Sequence, residues 1–175
     1  RGPDAAEGLL YVADRGNHRI RIVDLNHDNR ISTLAGTGEK GTQDGPLVQA
    51  SFDEPEQVAL LAGSKLLVYE RGGRRFRLLD LKTRKARTLS AGQDEVSNLA
   101  ASPDGLGACF SQPQLGRVCF LDPAAGKITN LLSANSFLTR PGALCWHGGS
   151  LMAADRENGL VMNLGPDGKG TKEET

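Results

Sequence analysis

The chain has 175 residues, which suits a single domain that can bury a real core. Lys and Arg number 21 and Asp and Glu also number 21, so the net charge of zero gives no general argument for nucleic acid or an anionic membrane as partner. No apolar run approaches the roughly 18 residues of a membrane-spanning helix, and 22 glycines with 8 prolines favour short strands joined by tight turns.

Four segments of the chain resemble one another. Their sequences are LLYVADRGNHRIRIVDL from Leu9, KLLVYERGGRRFRLLDL from Lys65, GACFSQPQLGRVCFLDP from Gly107 and SLMAADRENGLVMNLGP from Ser150. The residues on which they align, 56, 42 and 43 residues apart, are Asp14, Glu70, Gln112 and Asp155. A period near 42 residues matches four-stranded propeller blades, which are about 40–45 residues long in the best-known repeat family.

The repeats predict an all-β fold over residues 1–164 with four blade-like repeats. We expect the blades at about 9–35, 55–90, 95–133 and 141–164, followed by a disordered polar tail at 165–175. The strands predicted in the second repeat are residues 56–61, 65–70, 75–81 and 86–90. The first repeat has no obvious first strand and the last has no fourth, so we expect neighbouring blades to be absent or to come from elsewhere in a parent chain.

Alternating aliphatic residues mark the core-facing side of each third strand. In the first repeat, Ile20 and Ile22 alternate with two arginines. The equivalent predicted core positions are Phe76, Leu78, Val118, Phe120, Val161 and Asn163. The Gly-rich, polar segment between Gly36 and Pro55 is interpreted as a surface loop that joins the first two blades.

Residues 9–60 resemble a known repeat family. Residues 11–21 (YVADRGNHRIR) are similar to the signature that names NHL repeats. The segment TLAGTG from Thr33 resembles the inter-blade segment of one branch, as do Gly41, Asp44, Gly45, Ala50, Phe52 and Pro55. That branch includes NHL repeat-containing proteins with a thioredoxin-like domain and plant thylakoid-lumen relatives. The resemblance implies a β-propeller, six-bladed in most relatives, of which this chain holds a part. It also implies a recognition platform for proteins or RNA, although some propellers of similar shape are metal-dependent hydrolases.

Two short motifs suggest cofactors but fail in their context. Residues 36–41 (GTGEKG) spell a dinucleotide-binding fingerprint, yet TQDGP follows instead of the helix that would hold the pyrophosphate. Asp24, Asn26 and Asp28 have the spacing that opens a calcium loop, but the Gly and Glu that such a loop requires are absent. We therefore expect a turn at these residues, no cofactor and no metal site.

Acidic residues recur at one position of three repeats, each followed by Arg: Asp14, Glu70 and Asp155. As metal ligands in a central channel they would make the protein a metal-dependent hydrolase. A structural role is favoured, because catalysis rarely needs the same group in every blade and an acid here can bond to the following turn, for example to Asn17 or Arg19. We therefore predict no catalytic residue and no enzyme activity.

Arginines near these turns form the candidate anion-binding or partner-binding rim: Arg15, Arg71, Arg74, Arg75 and Arg156. Such a rim could bind a carboxylate, a phosphate or an RNA backbone. Arg75 and Arg77 alternate with core positions, and are also explained as solvated residues or as partners of neighbouring blades. The aromatic residue of this stretch, Phe76, is predicted to be core, so no base-stacking platform accompanies the arginines and RNA is less favoured than protein.

The three cysteines, Cys109, Cys119 and Cys145, show no metal-ligand spacing. Cys109 and Cys119 lie five residues either side of Gln114, in the middle of a predicted turn. A hairpin centred there would bring the two thiols near each other, either as packed small residues or as a disulfide or redox pair.

Together these patterns predict a non-catalytic protein-interaction or scaffolding module of a larger assembly, with other protein subunits as partners and no evident small-molecule substrate. The alternatives are recognition of an anionic ligand or RNA at the Arg-rich rim, and a metal-dependent propeller hydrolase. The chain begins with Arg1 rather than Met, which indicates a fragment or a processed form and leaves both the cytoplasm and an organelle lumen open.

Overall fold

Antiparallel β-sheets form two structural units in a computed structural model that describes residues 8–132 and 138–166. Unit 1 is Arg1–Gln93 and unit 2 is Asp94–Thr175. The described residues contain no α-helix, and neither of their two short 3-10 helices is long and apolar enough to cross a membrane. Most of the predicted polar tail at 165–175, and the last residue of the predicted third blade, lie outside the described residues.

Unit 1 contains two sheets. Sheet 1 has the strand order β1-β2-β3, with β1 at Leu9–Asp14, β2 at Arg19–Asp24 and β3 at Arg30–Ala35. Sheet 2 has the order β4-β8-β7-β6-β5, with β4 at Gly45–Pro46, β5 at Pro55–Leu61, β6 at Lys65–Glu70, β7 at Arg75–Asp80 and β8 at Lys85–Ser90. The four strands predicted for the second repeat are thus confirmed, with ends that differ by no more than one residue.

Unit 2 also contains two sheets. Sheet 3 has the order β12-β11-β10-β9, with β9 at Asn98–Ala101, β10 at Ala108–Gln112, β11 at Arg117–Asp122 and β12 at Lys127–Leu132. Sheet 4 has the order β13-β14-β15, with β13 at Pro141–His147, β14 at Ser150–Asp155 and β15 at Leu160–Asn163. As predicted, the described part of sheet 1 has no counterpart of β5, which is the first strand of sheet 2. The described part of sheet 4 has no counterpart of β12, which is the fourth strand of sheet 3.

The turn before the third strand of each repeat has one recurring geometry. It ends on a residue with positive φ, which is His18 in sheet 1, Arg74 in sheet 2, Gly116 in sheet 3 and Gly159 in sheet 4. In the first three, the N–H of this residue donates to the carbonyl oxygen three positions earlier, at 3.3 Å. Gly adopts this conformation without steric cost, whereas His18 and Arg74 hold it against the preference of a side chain with a Cβ.

Each pair of sheets packs front to back. We call the side of a sheet that carries Ile20 or its equivalents the front face, and the opposite side the back face. In unit 1, Ile20 on the front face of sheet 1 belongs to one buried cluster with Leu66 and Val68 on the back face of sheet 2. In unit 2, Val118 on the front face of sheet 3 is buried with Leu151 on the back face of sheet 4. Apolar side chains thus form one core within each unit.

The predicted core column is correct in three repeats and wrong in the fourth. Four of its members are buried (Ile20, Phe76, Leu78 and Val118), while Ile22 and Phe120 are partly buried. Val161 is instead 71% exposed, and Asn163 is only partly buried. The reason is that the front face of sheet 4 is not covered by another sheet of the described residues.

The segment between Gly36 and Pro55 is not the surface loop that its composition suggests. Leu47, Ala50 and Phe52 are buried in the core of unit 1. Backbone hydrogen bonds join the segment to itself and to the turn before β8, where Leu47 N–H donates to Arg84 O at 2.9 Å. Polar composition described the exposed residues of the segment correctly, but its few apolar side chains determine where it packs.

The cysteine pair predicted as a disulfide alternative does not form. Cys109 lies opposite Phe120 and Cys119 lies opposite Phe110 across β10 and β11, so the two thiols point to opposite faces of sheet 3. Both are free and buried, and burial raises the pKa of Cys109 to about 12 and that of Cys119 to about 11. They act as packed small residues rather than as a redox pair.

Candidate functional site

Four of the five predicted rim arginines lie in unit 1, at the turns that precede third strands. Arg15 begins the 3-10 turn Arg15–Asn17 after β1, Arg71 and Arg74 lie in the turn between β6 and β7, and Arg75 begins β7. The fifth, Arg156, is exposed in unit 2, directly after β14. The repeat therefore positions all five at equivalent or neighbouring places in their own sheets.

Arg15 and Arg71 are joined by two glutamates that the sequence patterns did not identify. Arg15 Nη2 lies 2.7 Å from Glu54 Oε2, and Arg15 Nη1 lies 3.4 Å from Glu56 Oε1. Arg71 Nη1 lies 3.7 Å from the same oxygen of Glu56. We call these four residues the Arg–Glu cluster. It joins the sheet 1 turn to the start of β5 and to the β6–β7 turn of sheet 2.

The backbone around Glu54 fixes the position of this cluster. The N–H of Glu54 donates to Nδ1 of His18 at 3.2 Å, and its carbonyl oxygen accepts from Arg71 N–H at 2.9 Å. The neighbouring Asp53 carbonyl accepts from Gly72 N–H at 3.2 Å. A Cβ on Gly72 would lie 2.1 Å from Asp53 Oδ1, so a larger residue would have to displace the Asp53 carboxylate.

The Arg–Glu cluster is held by solvent-accessible ion pairs that contribute little to folding. The hydrogen bond from Arg15 lowers the pKa of Glu54, and the same bond raises the pKa of Arg15. The side chains of Arg15 and Arg71 are each 44% exposed. Solvent screens ion pairs this accessible, so removing these charges would cost the fold little.

The remaining three arginines have different surroundings. Arg74 is exposed in its turn. Arg75 points back to a buried carboxylate, with its Nε 3.4 Å from Glu70 Oε2 and donating to Gly73 O at 3.3 Å. The side chain of Arg156 runs along Gly142 of β13, where an added Cβ would lie 2.6 Å from its Nε.

A fully buried arginine, Arg77, is the principal feature that sequence reasoning missed, since it was expected to be solvated or paired between blades. Its Nη1 donates to Glu70 Oε1 at 3.0 Å and to Ser51 O at 2.9 Å. Its Nη2 donates to Asp44 Oδ1 and to Gln43 O, both at 2.9 Å. The guanidinium also lies over the ring of Phe52, 4.9 Å from its centre. Arg77 thereby fastens the 36–55 segment to sheet 2.

The signal for this buried pair is a seven-residue spacing. Glu70 precedes Arg77 by seven residues, as Asp14 precedes Arg21, whose Nε lies 2.9 Å from Asp14 Oδ2. Asp14 also accepts from Asn17 Nδ2 at 2.8 Å, as predicted, but its second partner is Arg21 rather than Arg19. These acids therefore stabilise their own sheets.

The third repeated acid, Asp155, accepts backbone hydrogen bonds. It receives them from Thr139 at 2.8 Å, Arg140 at 3.2 Å and Glu157 at 3.0 Å, together with the Asn158 side chain at 2.8 Å. Burial would raise the pKa of Asp155, but these bonds together lower it. Within residues 8–132 and 138–166, no three His, Cys, Asp or Glu side chains are grouped so that they could hold a metal ion.

Glu70 should make the stability of unit 1 depend on pH. Burial raises its pKa from 4.5 to about 7, although Arg77, Arg75 and the Asp53 N–H oppose this rise. A carboxyl group whose pKa is raised in the folded state stabilises that state at low pH, and this stabilisation is lost as the pH rises to the folded-state value. We therefore expect the free energy of unfolding to fall by at most about 3 kcal/mol between roughly pH 4.5 and pH 7.

Chemical unfolding followed by circular dichroism over this pH range would measure the decrease in the free energy of unfolding. Glu70→Gln removes the titrating group and is the matched control, so the difference between the two proteins isolates Glu70 from the histidines. Parallel pH profiles for the wild type and Glu70→Gln would contradict the expectation.

Comparison with known proteins extends these findings. No protein-family model matches the chain. The chain is 37% identical over 83 residues to NHL repeat-containing protein 2 of Gallus gallus, a match that covers 46% of this chain and 11% of that protein. It is 35% identical over 77 residues to Protein SUPPRESSOR OF QUENCHING 1, chloroplastic, of Arabidopsis thaliana, covering 44% of this chain and 7% of that one. The matched region spans about a tenth of these relatives' length.

Solved structures show the same fold. Virginiamycin B lyase from Staphylococcus aureus superposes with a TM-score of 0.71 and 12% identity, over 95% of this chain and 52% of that chain. A chain of the nidogen/laminin complex superposes with a TM-score of 0.64 and 15% identity, over 90% of this chain and 55% of that one. At these identities the likeness concerns the fold alone.

Proposed function

The chain is built from NHL-type repeats with a β-propeller fold, and on this premise we propose that it is a non-catalytic protein-interaction module whose contact surface includes the Arg–Glu cluster. The observation that carries the proposal is that exposed arginines and partly buried glutamates meet in one cluster held by a hydrogen-bonded backbone. The number of blades in the whole protein and a thioredoxin-like domain remain predictions.

A protein partner suits this cluster better than a polyanion does. A phosphate approaching Arg15 or Arg71 would also meet the carboxylates that already pair with them, Glu54 and Glu56. A protein surface can offer acidic and basic side chains together and can replace both halves of an exposed ion pair. Such charge pairs at the edge of an interface mainly set the association rate and the choice of partner.

The roles of the repeated acids support our proposal that the module is non-catalytic. Asp14, Glu70 and Asp155 are each bonded within their own unit to an arginine or to backbone N–H groups. Both oxygens of Asp14 and of Asp155 accept hydrogen bonds, and Glu70 Oε2 is buried 3.4 Å from Arg75 Nε, so all three acids have structural surroundings. A related fold in the nidogen/laminin complex supports a protein-binding role as a precedent for the architecture.

Recognition of a small anion is the second candidate. Arg74 is exposed in the same turn as Arg71, and no described residue forms an ion pair with the Arg74 side chain. A carboxylate placed between these two arginines would gain charge-assisted hydrogen bonds. This candidate requires binding to depend on Arg74, whereas the Arg–Glu cluster does not include that residue.

Charge reversal in the cluster tests the proposed function. Partners captured from a lysate by the wild type would be purified, and their affinity for Arg15→Glu/Arg71→Glu would be measured by calorimetry at low and moderate salt. We expect a loss of at least about tenfold and a weaker salt dependence. The control, Arg84→Glu, makes the same change at an exposed turn residue outside the cluster.

Three outcomes are informative. Equal losses in the cluster variant and in Arg84→Glu would indicate a general charge effect and contradict the cluster as the contact surface. Binding that is insensitive to both would reject it. A loss confined to Arg74→Ala would favour the small-anion candidate.

A further inference from the structure

Glu54, the acidic partner of Arg15, has a strained backbone. Its φ is +52°, in the left-handed region that residues with a Cβ rarely adopt. Three contacts hold it there. Its N–H donates to His18 Nδ1 at 3.2 Å, its carbonyl oxygen accepts from Arg71 N–H at 2.9 Å, and its carboxylate lies 2.7 Å from Arg15 Nη2. Such a conformation persists only where the surrounding structure determines it, and strained residues of this kind cluster at functional sites.

The equivalent residue of unit 2 shows that the contact with His18 is particular to unit 1. The strand pairings place Arg140 at the position of Glu54. The N–H of Arg140 donates at 3.2 Å to Asp155, the repeated acid of its own sheet. The N–H of Glu54 instead donates to His18, in the turn of the neighbouring sheet. Sheets 1 and 2 are thus joined at this point by a side chain that can change its charge.

The acceptor role of Nδ1 defines the charge state of His18. An imidazole nitrogen that accepts a hydrogen bond carries no proton, so the ring is neutral and its proton is on Nε2. An imidazolium ring has an N–H at both nitrogens and no acceptor, so turning the protonated ring cannot restore the bond. Protonation would therefore remove one of the three contacts that hold Glu54 in its left-handed conformation.

We propose that His18 is the positioning residue of the Arg–Glu cluster and makes the cluster sensitive to acid. The neutral ring holds Glu54 in place, and protonation of the ring releases it, so that association through the cluster weakens as the pH falls. Histidine is the side chain that ordinarily changes its charge between about pH 5 and pH 8. The effect on association rests on the proposed function, in which the cluster is part of the contact surface.

The charged groups on the elements around His18 are paired with one another. These pairs are Asp14 with Arg21, Asp53 with Lys40, Glu54 with Arg15, and Glu56 with both Arg15 and Arg71. Arg19, next to His18 in the chain, donates to Thr37 O at 2.7 Å. An imidazolium ring would compete with the arginines for the two glutamates, which would disturb the cluster further.

Glu70 is a second group near this site that titrates in the same range. Burial raises its pKa to about 7, and its Oε1 accepts from the N–H of Asp53, the residue before Glu54, at 3.0 Å. Each measurement is therefore made both in the wild type and in Glu70→Gln, which removes this titration. An effect that persists in Glu70→Gln belongs to His18.

Nuclear magnetic resonance of the protein alone tests the positioning role. At about pH 8 we expect the neutral His18 ring with its proton on Nε2, and the Glu54 amide shift should follow the ring titration down to about pH 5.5. The Arg140 amide is the internal control, because hydrogen bonds lower the pKa of its acceptor, Asp155. A Glu54 amide that does not follow His18, or a neutral ring with its proton on Nδ1, would overturn the role.

Two substitutions of His18 separate its acceptor from its titration. His18→Asn keeps an acceptor oxygen as many bonds from the backbone as Nδ1, does not titrate in this range and tolerates the left-handed conformation. His18→Gly removes the acceptor but suits the backbone, as Gly116 and Gly159 do at the equivalent positions. Circular dichroism would verify that both variants are folded.

The partner purified for the charge-reversal experiment gives the second readout. Its affinity for the wild type should fall roughly two- to tenfold between about pH 8 and pH 5.5, which corresponds to one hydrogen bond. His18→Asn should keep its affinity over this range, and it also controls for any titration of the partner. His18→Gly should already be weaker by a similar factor at about pH 8 and should change little with pH.

The two readouts distinguish failure of the acid sensitivity from failure of the proposed function. If Arg15→Glu/Arg71→Glu weakens binding but the wild type and His18→Asn depend on pH alike, the acid sensitivity is overturned and the contact surface stands. If charge reversal has no effect, the cluster is not the contact surface and the effect on association is overturned with it. The titration of the Glu54 amide decides in either case whether His18 positions Glu54.

Discussion

Replacement of Arg77 by Met is expected to destabilise unit 1 by about 3–5 kcal/mol, the usual cost of breaking a buried ion pair by removing one partner. The substitution would leave Glu70 without its main counter-charge and would remove the donors to Gln43 O and Ser51 O. Loss of Arg77 would raise the pKa of Glu70 further, so the carboxyl group would be more fully protonated near neutral pH. This limits the loss but does not restore the bonds to the 36–55 segment. Urea unfolding followed by far-UV circular dichroism measures the change.

Two further variants make the Arg77 result interpretable. Arg84→Met removes an exposed arginine from a turn of the same sheet, and should change the free energy of unfolding by less than about 0.5 kcal/mol. Glu70→Gln/Arg77→Met removes both charges and should recover part of the loss, because no uncompensated carboxylate remains. An Arg77→Met protein as stable as Arg84→Met would disprove the fastening role of Arg77.

Replacement of Asp155 by Ala is expected to destabilise unit 2 by about 3 kcal/mol, since hydrogen bonds to a buried charge contribute about 1.5–3 kcal/mol each and are only partly replaced by water. The backbone N–H groups of Thr139 and Arg140 would lose their acceptor. Trp146, the one tryptophan of the sequence, lies on β13 in the same unit, so its fluorescence follows this unfolding directly.

A comparison with Asp14 tests whether acids at equivalent repeat positions contribute equally to the free energy of unfolding. Asp14→Ala should cost only about 1 kcal/mol, because the partners of Asp14 are partly exposed side chains. Equal losses for Asp14→Ala and Asp155→Ala would show that the repeat position, and not the local burial, determines the contribution.

Much of the fold follows from the sequence because its signals are local. The period near 42 residues and the alternation around Ile20 predicted the strands of the second repeat with ends that differ by no more than one residue. Side-chain direction was harder to predict. The hairpin centre assumed for Cys109 and Cys119 differs from the observed register by half a residue, which is enough to turn the two thiols to opposite faces.

The candidate site was only half predictable for a different reason. Repeat position identified Arg15 and Arg71, but the glutamate paired with Arg15, Glu54, lies 39 residues along the chain from it. No local pattern links residues so far apart. Arg77 was missed because its alternation with Phe76 and Leu78 suggested a solvent-facing side chain, whereas the 36–55 segment covers it. Burial of a charged residue depends on long-range packing, which periodicity does not encode.

The core position of Phe52 also bears on how this array of repeats can change during evolution. A duplication or exchange that joined the first repeat to another through a shorter connection would delete Leu47, Ala50 and Phe52 from the core, together with the carbonyl groups that receive Arg77. The second repeat would then retain an arginine with only one of its four acceptors, the Glu70 carboxylate. We therefore expect the first two repeats to be exchanged as a pair, because this connection supplies core residues and acceptors that a shorter one would lack.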